Sequence, residues 1–321
     1  MKVAVLDDYH HTFDADPAIQ RLRGRVPVDV FTEHQPVERL GEYQALIALR
    51  ERTRFDGSFF DAMPQLELIS QTGHHVYHVD MAAATKAGVL VGLGLGAAGQ
   101  GFSTAELTFG LMLAIMRRIP QTDSAIRRGE WPLVMGRTLR GKKLGILGLG
   151  RVGGEVAHIA QAFGMEVLAW GPTLTAERAS TSGARYMDLD ELLSAADVVS
   201  VHLTLSEISR GLLDEARLRR IGPSSWLINT SRGPVVDEAA LAQVLAEGAL
   251  GGAALDVFGT EPLPADSPFC RLDNVVLTAH LGWPADDTYR LMAEGAAEVI
   301  STYLDGTYDK ALNPEAVQNR Q

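Results

Sequence analysis

Three polar side chains lie just past hydrophobic runs late in the chain, and each is of a type that acts on substrates. They are Arg232 in NTSRG, Glu261 in DVFGTEPLP and His280 in LTAHLGW. The planar guanidinium of an arginine matches a carboxylate. A histidine gives or takes a proton near neutral pH, and a carboxylate bonded to its ring stabilises the imidazolium. Reduction of a 2-oxo acid needs a cation to hold the carboxylate and polarise the ketone, an acid to protonate the forming alkoxide, and a hydride donor. Arg232, His280 and Glu261 supply all but the donor; in the oxidation direction His280 becomes the base. Taken singly, each has an ordinary reading: a surface ion pair, a solvated loop, a capping histidine. Their joint occurrence behind a nucleotide-type loop carries the chemical reading.

That loop is Gly148-Leu149-Gly150-Arg151-Val152-Gly153, which follows a strand ending at Leu149 and opens a helix predicted to run to about Phe163. The strand–turn–helix context is what a dinucleotide fingerprint requires. The first glycine permits the turn, the second lets a pyrophosphate approach the backbone, and the third lets helix and strand pack closely. An acid expected about 20 residues on, to hold the ribose hydroxyls, is absent; Gly171 stands there. NAD is the expected cofactor, with NADP open because nothing at Gly171 repels a 2′-phosphate. Thr173, Thr175 and Arg178 are the residues that could hold one.

Behind these residues, short aliphatic runs alternate with helical stretches from end to end, the pattern of parallel α/β sheets. With 321 residues, two domains are expected at roughly 100–200 residues each. Strands are predicted at Val3–Leu6, Val28–Phe31, Ala45–Leu49, Leu66–Ser70 and Val89–Val91, and a second series at Leu144–Leu149, Glu166–Trp170, Val198–His202, Trp226–Asn229, Ala253–Val257 and Val275–Thr278. The glycine-dense stretch 91–101 reads as a hinge. After it, Ser103-Thr104-Ala105-Glu106 reads as a capping box opening a helix to about Arg117, with Pro120 beyond its end. A last helix, Asp286 to about Tyr303, is predicted to pack back on the first domain. The fold class is therefore α/β with two doubly wound parallel-sheet domains: residues 1–101 plus 284–321, and residues 102–283.

Composition narrows the partners. A net charge of −11 without blocks of like charge argues against nucleic acid or an anionic membrane surface. The longest apolar stretch, Leu107 to Met116, is too short to cross a bilayer. The single Cys270 and the lack of a basic-then-apolar opening segment point to a reducing cytoplasm. The expected partner is a small molecule.

The segments LRGKKLGILGLGRVG (139–153), VVSVHLTL (198–205), LINTSRGPVVDEAAL (227–241), GAALDVFGTEPLP (252–264) and VVLTAHLG (275–282) together resemble the D-isomer-specific 2-hydroxyacid dehydrogenase family, over nearly the whole length. The resemblance implies a flavodoxin-like substrate domain and a Rossmann cofactor domain, with Arg232, Glu261 and His280 as catalytic residues. It further implies Asp256 near the nicotinamide amide, Thr230 and the loop after His202 along the cofactor, and a homodimer through an arm at 103–140.

The chain departs from the family where a Gly-x-Gly loop commonly holds the substrate carboxylate: it reads Gly73-His74-His75. His75 narrows that position or adds a donor, and Trp283 adds bulk after His280. Gly73, His74, His75, Trp283 and Arg50 are the expected substrate-binding residues, Arg50 and Arg52 being placed to meet a distal acidic group. The polar run Asp7-Asp8-Tyr9-His10-His11 follows the first strand and reads as a loop. His74, His75 and His78 form HHxxH, but no helical pattern puts them on one face, and no metal is expected. The alternative function is an NAD(H)-sensing or corepressor-like module on the same fold. Formate oxidation, which needs no proton acceptor and in this family has Gln at the position of Glu261, is disfavoured.

Overall fold

The computed structural model describes residues 1–73, 75–94 and 101–319. By contacts the chain divides into two units: Met1–Gly99 with Pro284–Gln321, and Gln100–Trp283.

In the first unit, β1 (Val3–Leu6), α1 (Pro17–Arg23), β2 (Val28–Val30), β3 (Ala45–Leu49), α2 (Gly57–Ala62), β4 (Leu68–Thr72), α3 (Met81–Lys86) and β5 (Leu90–Leu93) follow one another. The strands are all parallel, in the order β2-β1-β3-β4-β5, the flavodoxin-like doubly wound arrangement. Strands β1 and β3 are buried throughout, as expected of strands covered on both faces. Each short helix starts on an aspartate whose side chain accepts a backbone N–H: Asp16 from Ala18, Asp56 from Phe59, Asp80 from Ala83. Strand β4 begins two residues later than its apolar run predicts. Leu66 closes a turn onto the Met63 carbonyl, and the register with β3 starts at Ala45 opposite Leu68.

The second unit opens with α4 (Phe102–Met116) and α5 (Ile119–Arg127), separated by Arg118 at φ 55°. Pro120 thus lies in the first turn of a second helix, where its missing N–H costs nothing. Then come β6 (Lys143–Leu147), α6 (Arg151–Ala162), β7 (Glu166–Trp170), α7 (Ala176–Thr181), β8 (Arg185–Tyr186), α8 (Leu189–Ala195), β9 (Val198–Val201), α9 (Glu215–Ile221), β10 (Trp226–Asn229), α10 (Glu238–Ala246), β11 (Gly252–Leu255) and β12 (Val275–Leu277). The parallel order β12-β11-β10-β9-β6-β7-β8 is a Rossmann sheet whose order reverses between β6 and β9. The two-residue β8 was not predicted; it is too short to show a period. Leu147, Val199, Val201, Leu227 and Leu255 pack with α8, α9 and α10 on one face. Leu144, Ile146, Val198, Ile228 and Ala254 pack with α4, α6 and α7 on the other. This is the period-2 alternation of a sheet between two helical layers.

The chain then returns to the first unit as α11 (Asp286–Leu304). Ser70 on β4 donates to the Ala296 carbonyl (3.1 Å), and a Cβ at Gly94 would lie 2.7 Å from the Ala296 nitrogen, so helix and sheet meet closely. Past α11 the tail bonds the edge of β5: Leu312 donates to the Val91 carbonyl (2.8 Å), and the buried Asn313 side chain accepts from Val91 N–H (2.8 Å) and donates to the Val89 carbonyl (3.0 Å). Of the predicted hinge, 91–93 belong to β5 and 95–100 lie outside the described residues.

Candidate active site

The register of the second sheet lines up the candidate residues. Trp170, Leu147, Val201, Asn229, Leu255 and Leu277 are paired across neighbouring strands as one row, the last of the sheet. The next residue on each strand is Gly171, Gly148, His202, Thr230, Asp256 and Thr278. By alternation these follow the residues packed with α4 and α6, so all six emerge on that face at the carboxyl edge, where open α/β sheets take their ligands.

At the β6/β9 reversal, Gly148 has φ 99°, and a Cβ there would lie 2.8 Å from the His202 carbonyl oxygen. A Cβ at Gly153 would lie 2.1 Å from the Gly148 carbonyl oxygen, so the first and third glycines are required by packing. Around Gly150, by contrast, a Cβ would meet nothing within 4 Å, and this residue starts α6 without any side-chain cap. Open space in front of uncapped amides suits a pyrophosphate. Val152 is half-buried and Arg151 exposed at the start of α6. His202 adds a second sign of fit. Its Nε2 is 2.8 Å from Ser200 Oγ, while its buried Nδ1 has no hydrogen-bond partner among the described residues. Burial pushes the ring down to about 3, so it is neutral. Thr230 Oγ1 lies 3.0 Å from Thr108 Oγ1 on α4. Beyond β7, Arg178 Nη1 donates to the Thr173 carbonyl (2.9 Å), which keeps the guanidinium on the loop after Gly171. These residues fit a dinucleotide.

The structure joins two of the three proton-transfer and cation candidates directly. His280 Nδ1 lies 2.7 Å from Glu261 Oε2, and Glu261 Oε1 accepts from Phe258 N–H (2.9 Å). The carboxylate is fixed at both oxygens, which leaves Nε2 of the imidazole as its outward nitrogen. Arg232 is exposed on the loop after β10, donating to the Ser231 carbonyl (2.7 Å). Asn229 shapes that loop by accepting from Ser231 N–H (3.1 Å) and donating to the Arg232 carbonyl (3.1 Å). Gly233 is buried against the Phe258–Gly259 backbone, so the loops bearing Arg232 and Glu261 are in contact. Trp283 is half-buried after His280.

Asp256 has a use that sequence reasoning missed. Fully buried, it accepts from Thr278 Oγ1 (2.6 Å), Leu281 N–H (2.7 Å) and Gly282 N–H (2.9 Å). Such a carboxylate is stable because every oxygen is satisfied. The predicted capping box is not formed: Gly101, at φ 78°, starts α4 with no side-chain cap, and Ser103 and Thr104 turn their hydroxyls to the Gly282 carbonyl at 2.9 and 2.7 Å. The helix starts two residues earlier than the box requires, with Gly101 rather than Ser103 at the N-cap, so the Ser103 hydroxyl lies inside the first turn and donates outward.

In the first unit Leu49 pairs with Thr72 in the last row, so Arg50 and Gly73 emerge side by side. Arg50 N–H donates to Thr72 Oγ1 (3.0 Å), and a Cβ at Gly73 would sit 3.0 Å from Arg50 Nη1. His75 is exposed; His74 lies outside the described residues. Both ring nitrogens of His78 are buried without hydrogen-bond partners among the described residues, and burial pushes that ring down. Among the described residues no group of three or more His, Cys, Asp or Glu is placed to hold a metal. Arg52 Nη1 donates to the Asp7 carbonyl (2.5 Å) and Nη2 to Tyr289 OH (3.1 Å), which also lies 2.7 Å from His10 Nδ1. Burial raises the Tyr289 hydroxyl. Tyr289, more than 200 residues from Arg52 in the chain, carried no local signal.

Comparison with known proteins identifies the family. The model of the D-isomer specific 2-hydroxyacid dehydrogenase NAD binding domain matches residues 109–282. Glyoxylate reductase of Korarchaeum cryptofilum is 34% identical over 315 residues, 94% of each chain. D-3-phosphoglycerate dehydrogenase of Archaeoglobus fulgidus is 38% identical over 247 residues, which are 76% of this chain and 46% of that one. The crystal structure of a phosphoglycerate oxidoreductase from Vibrio cholerae superposes with a TM-score of 0.82 at 34% identity, covering 96% of this chain and 100% of that one. The chain belongs to the D-isomer specific 2-hydroxyacid dehydrogenase family. It is an oxidoreductase of NAD(P)-linked hydroxy-acid and oxo-acid chemistry with a small-molecule substrate, and nothing favours the alternative of a binding module. Among the described residues no helix is long and apolar enough to cross a membrane.

Proposed function

We propose that this chain reduces a small 2-oxo acid to its D-2-hydroxy acid, with His280 as proton donor, Glu261 as its partner and Arg232 as the cation that binds the carboxylate and polarises the ketone. The observation that carries the reading is the fixed Glu261–His280 pair, which leaves Nε2 to serve the substrate oxygen. A nicotinamide bound at the loop of Gly148, Gly150 and Gly153 would supply the hydride. Glu261, held by Phe258, stabilises the imidazolium before the proton leaves; Arg232 offers two parallel donors to a carboxylate. Arg50, Gly73 and His75 are proposed to contact substrate, Arg50 through a distal polar or acidic group. A panel of 2-oxo acids followed by NADH and NADPH absorbance tests this: turnover of at least one, lowered about a hundredfold or more by His280→Ala, supports it, and no turnover across the panel overturns it.

The nucleotide site is proposed to use NADH and to accept NADPH as well. No acid stands at Gly171, and Arg178 in α7 reaches back to the Thr173 carbonyl of the loop between, which supports a contact with a 2′-phosphate. Values of kcat/KM within about tenfold of each other are expected, a difference of 1.4 kcal/mol. A thousandfold preference for NADH would exclude this reading.

A homodimer is proposed through the arm at 103–140. Trp131, Leu133 and Met135 are 80, 94 and 92% exposed, and Ile119 and Ile126 about half. Apolar residues so concentrated on one segment mark a contact surface, and a second copy is the occupant the family resemblance implies. Light scattering at micromolar concentration is expected to give twice the mass of the 34.6 kDa chain, and half that after Trp131→Glu with Leu133→Glu.

A further inference from the structure

We propose that Ser103 and Thr104, in the first turn of α4, are positioning residues for His280, acting through the carbonyl of Gly282. The proposal rests on the reading of His280 as the proton-transfer group. His280 itself has φ 54°, a backbone conformation that a residue with a Cβ keeps only where its surroundings impose it. The surroundings are a short loop whose donors all point one way. His280 N–H bonds the Asp256 carbonyl (2.9 Å), and the Leu281 and Gly282 amides bond the Asp256 carboxylate. Asp256 therefore holds the loop from beneath but leaves its last carbonyl unclaimed. Both hydroxyls of α4 converge on that oxygen, Ser103 Oγ at 2.9 Å and Thr104 Oγ1 at 2.7 Å. Gly282 is wedged between the two holds: a Cβ there would lie 3.2 Å from Asp256 Oδ2 and 3.3 Å from Thr104 Cγ2.

The anchor is rigid. Gly101 backs directly on the start of α6, where a Cβ would sit 3.0 Å from Val152 Cγ2 and 3.2 Å from Val152 Cα. One turn further along α4, Thr108 donates to the Thr104 carbonyl (2.8 Å) and meets Thr230 at the end of β10 (3.0 Å). The same helix face thus carries hydroxyls to the loops after β12 and β10. A site held on packed helices keeps its reacting groups within the narrow tolerance that catalysis needs.

The test is Ser103→Ala with Thr104→Val, compared with Ser103→Thr with Thr104→Ser, which keeps both hydroxyls. The first pair is expected to lower kcat about tenfold, the worth of two ordinary hydrogen bonds, with the dissociation constant for NADH, read by its fluorescence, unchanged. The second pair is expected to restore kcat to within about twofold, since both bonds remain. In a His280→Ala background, removing the hydroxyls should cost nothing more, because the two changes act through one group. Unchanged kcat, failure of the hydroxyl-keeping pair to rescue, or full additivity with His280→Ala each overturns the proposal. If the double variant does not fold, Thr104→Val alone supplies the same cycle. Full turnover by His280→Ala is a different result: it overturns the reading of His280, and this proposal with it.

Discussion

Glu261 Oε2 lies 2.7 Å from His280 Nδ1 while its other oxygen accepts the Phe258 amide, so the carboxylate is held in orientation against the imidazole. One ring nitrogen is thereby committed and the other is left for proton transfer. His280→Ala is expected to lower kcat by roughly a hundred- to ten-thousandfold, the usual worth of general acid catalysis, with little change in the KM for the oxo acid. Glu261→Gln keeps the shape but replaces the charge, and a smaller loss in kcat is expected. Steady-state kinetics at saturating cofactor reads both; a Glu261→Gln enzyme at full speed would contradict the partnership.

Arg232 is exposed, and among the described residues its side chain bonds only the neighbouring Ser231 carbonyl. Its replacement by alanine is expected to raise KM and lower kcat together, about a hundredfold or more in kcat/KM, since the cation binds the ground state and steadies the alkoxide. Arg232→Lys keeps the charge without the planar fork and should recover only part. A change confined to KM would limit Arg232 to binding.

The glycines of the nucleotide loop separate packing from binding. Gly153→Ala drives a methyl into the Gly148 carbonyl, 2.1 Å away, and is expected to destabilise the fold by about 1–3 kcal/mol. Gly150→Ala meets no protein atom within 4 Å, so thermal unfolding should be unaffected. The dissociation constant for NADH should nonetheless weaken about tenfold, or 1.4 kcal/mol. Calorimetry with and without NADH distinguishes the two variants. Equal melting temperatures and equal affinities for Gly150→Ala and the parent would remove the pyrophosphate from that position.

His202 predicts an acid limb. Its folded ring is pushed down to about 3 from an ordinary 6.5, so the unfolded chain takes a proton that the folded one refuses. Its contribution is fully present above about pH 6.5 and is lost as the pH falls towards 3, at about 1.4 kcal/mol per unit. Urea unfolding between pH 7 and 4 should be less pH-dependent in His202→Asn than in the parent. The same slope in both would show that the ring is not the titrating group.

The strands and the nucleotide loop were legible because their signals are local: uninterrupted aliphatic runs, and glycines at the three places where the structure has a positive φ, open space or a 2.1 Å approach. The Arg232, Glu261 and His280 candidates were found from residue type and from position after strands. What escaped depends on contacts distant in the chain. Ser103 and Glu106 have the spacing of a capping box, but the Gly282 carbonyl, 179 residues away, takes the Ser103 hydroxyl. Asp256 sits in the expected row, yet its bonds to the 278–282 loop follow from register. The onset of β4 depends on where β3 pairs, which its own apolar run does not encode.

The hydrogen bonds from Ser103 and Thr104 to Gly282 also tie together the places where the chain enters and leaves the nucleotide-binding unit. An inserted module whose two ends are stapled to each other carries its own closure. Residues 101–283 should therefore tolerate excision, or circular permutation through a short linker, with NADH binding kept and turnover lost.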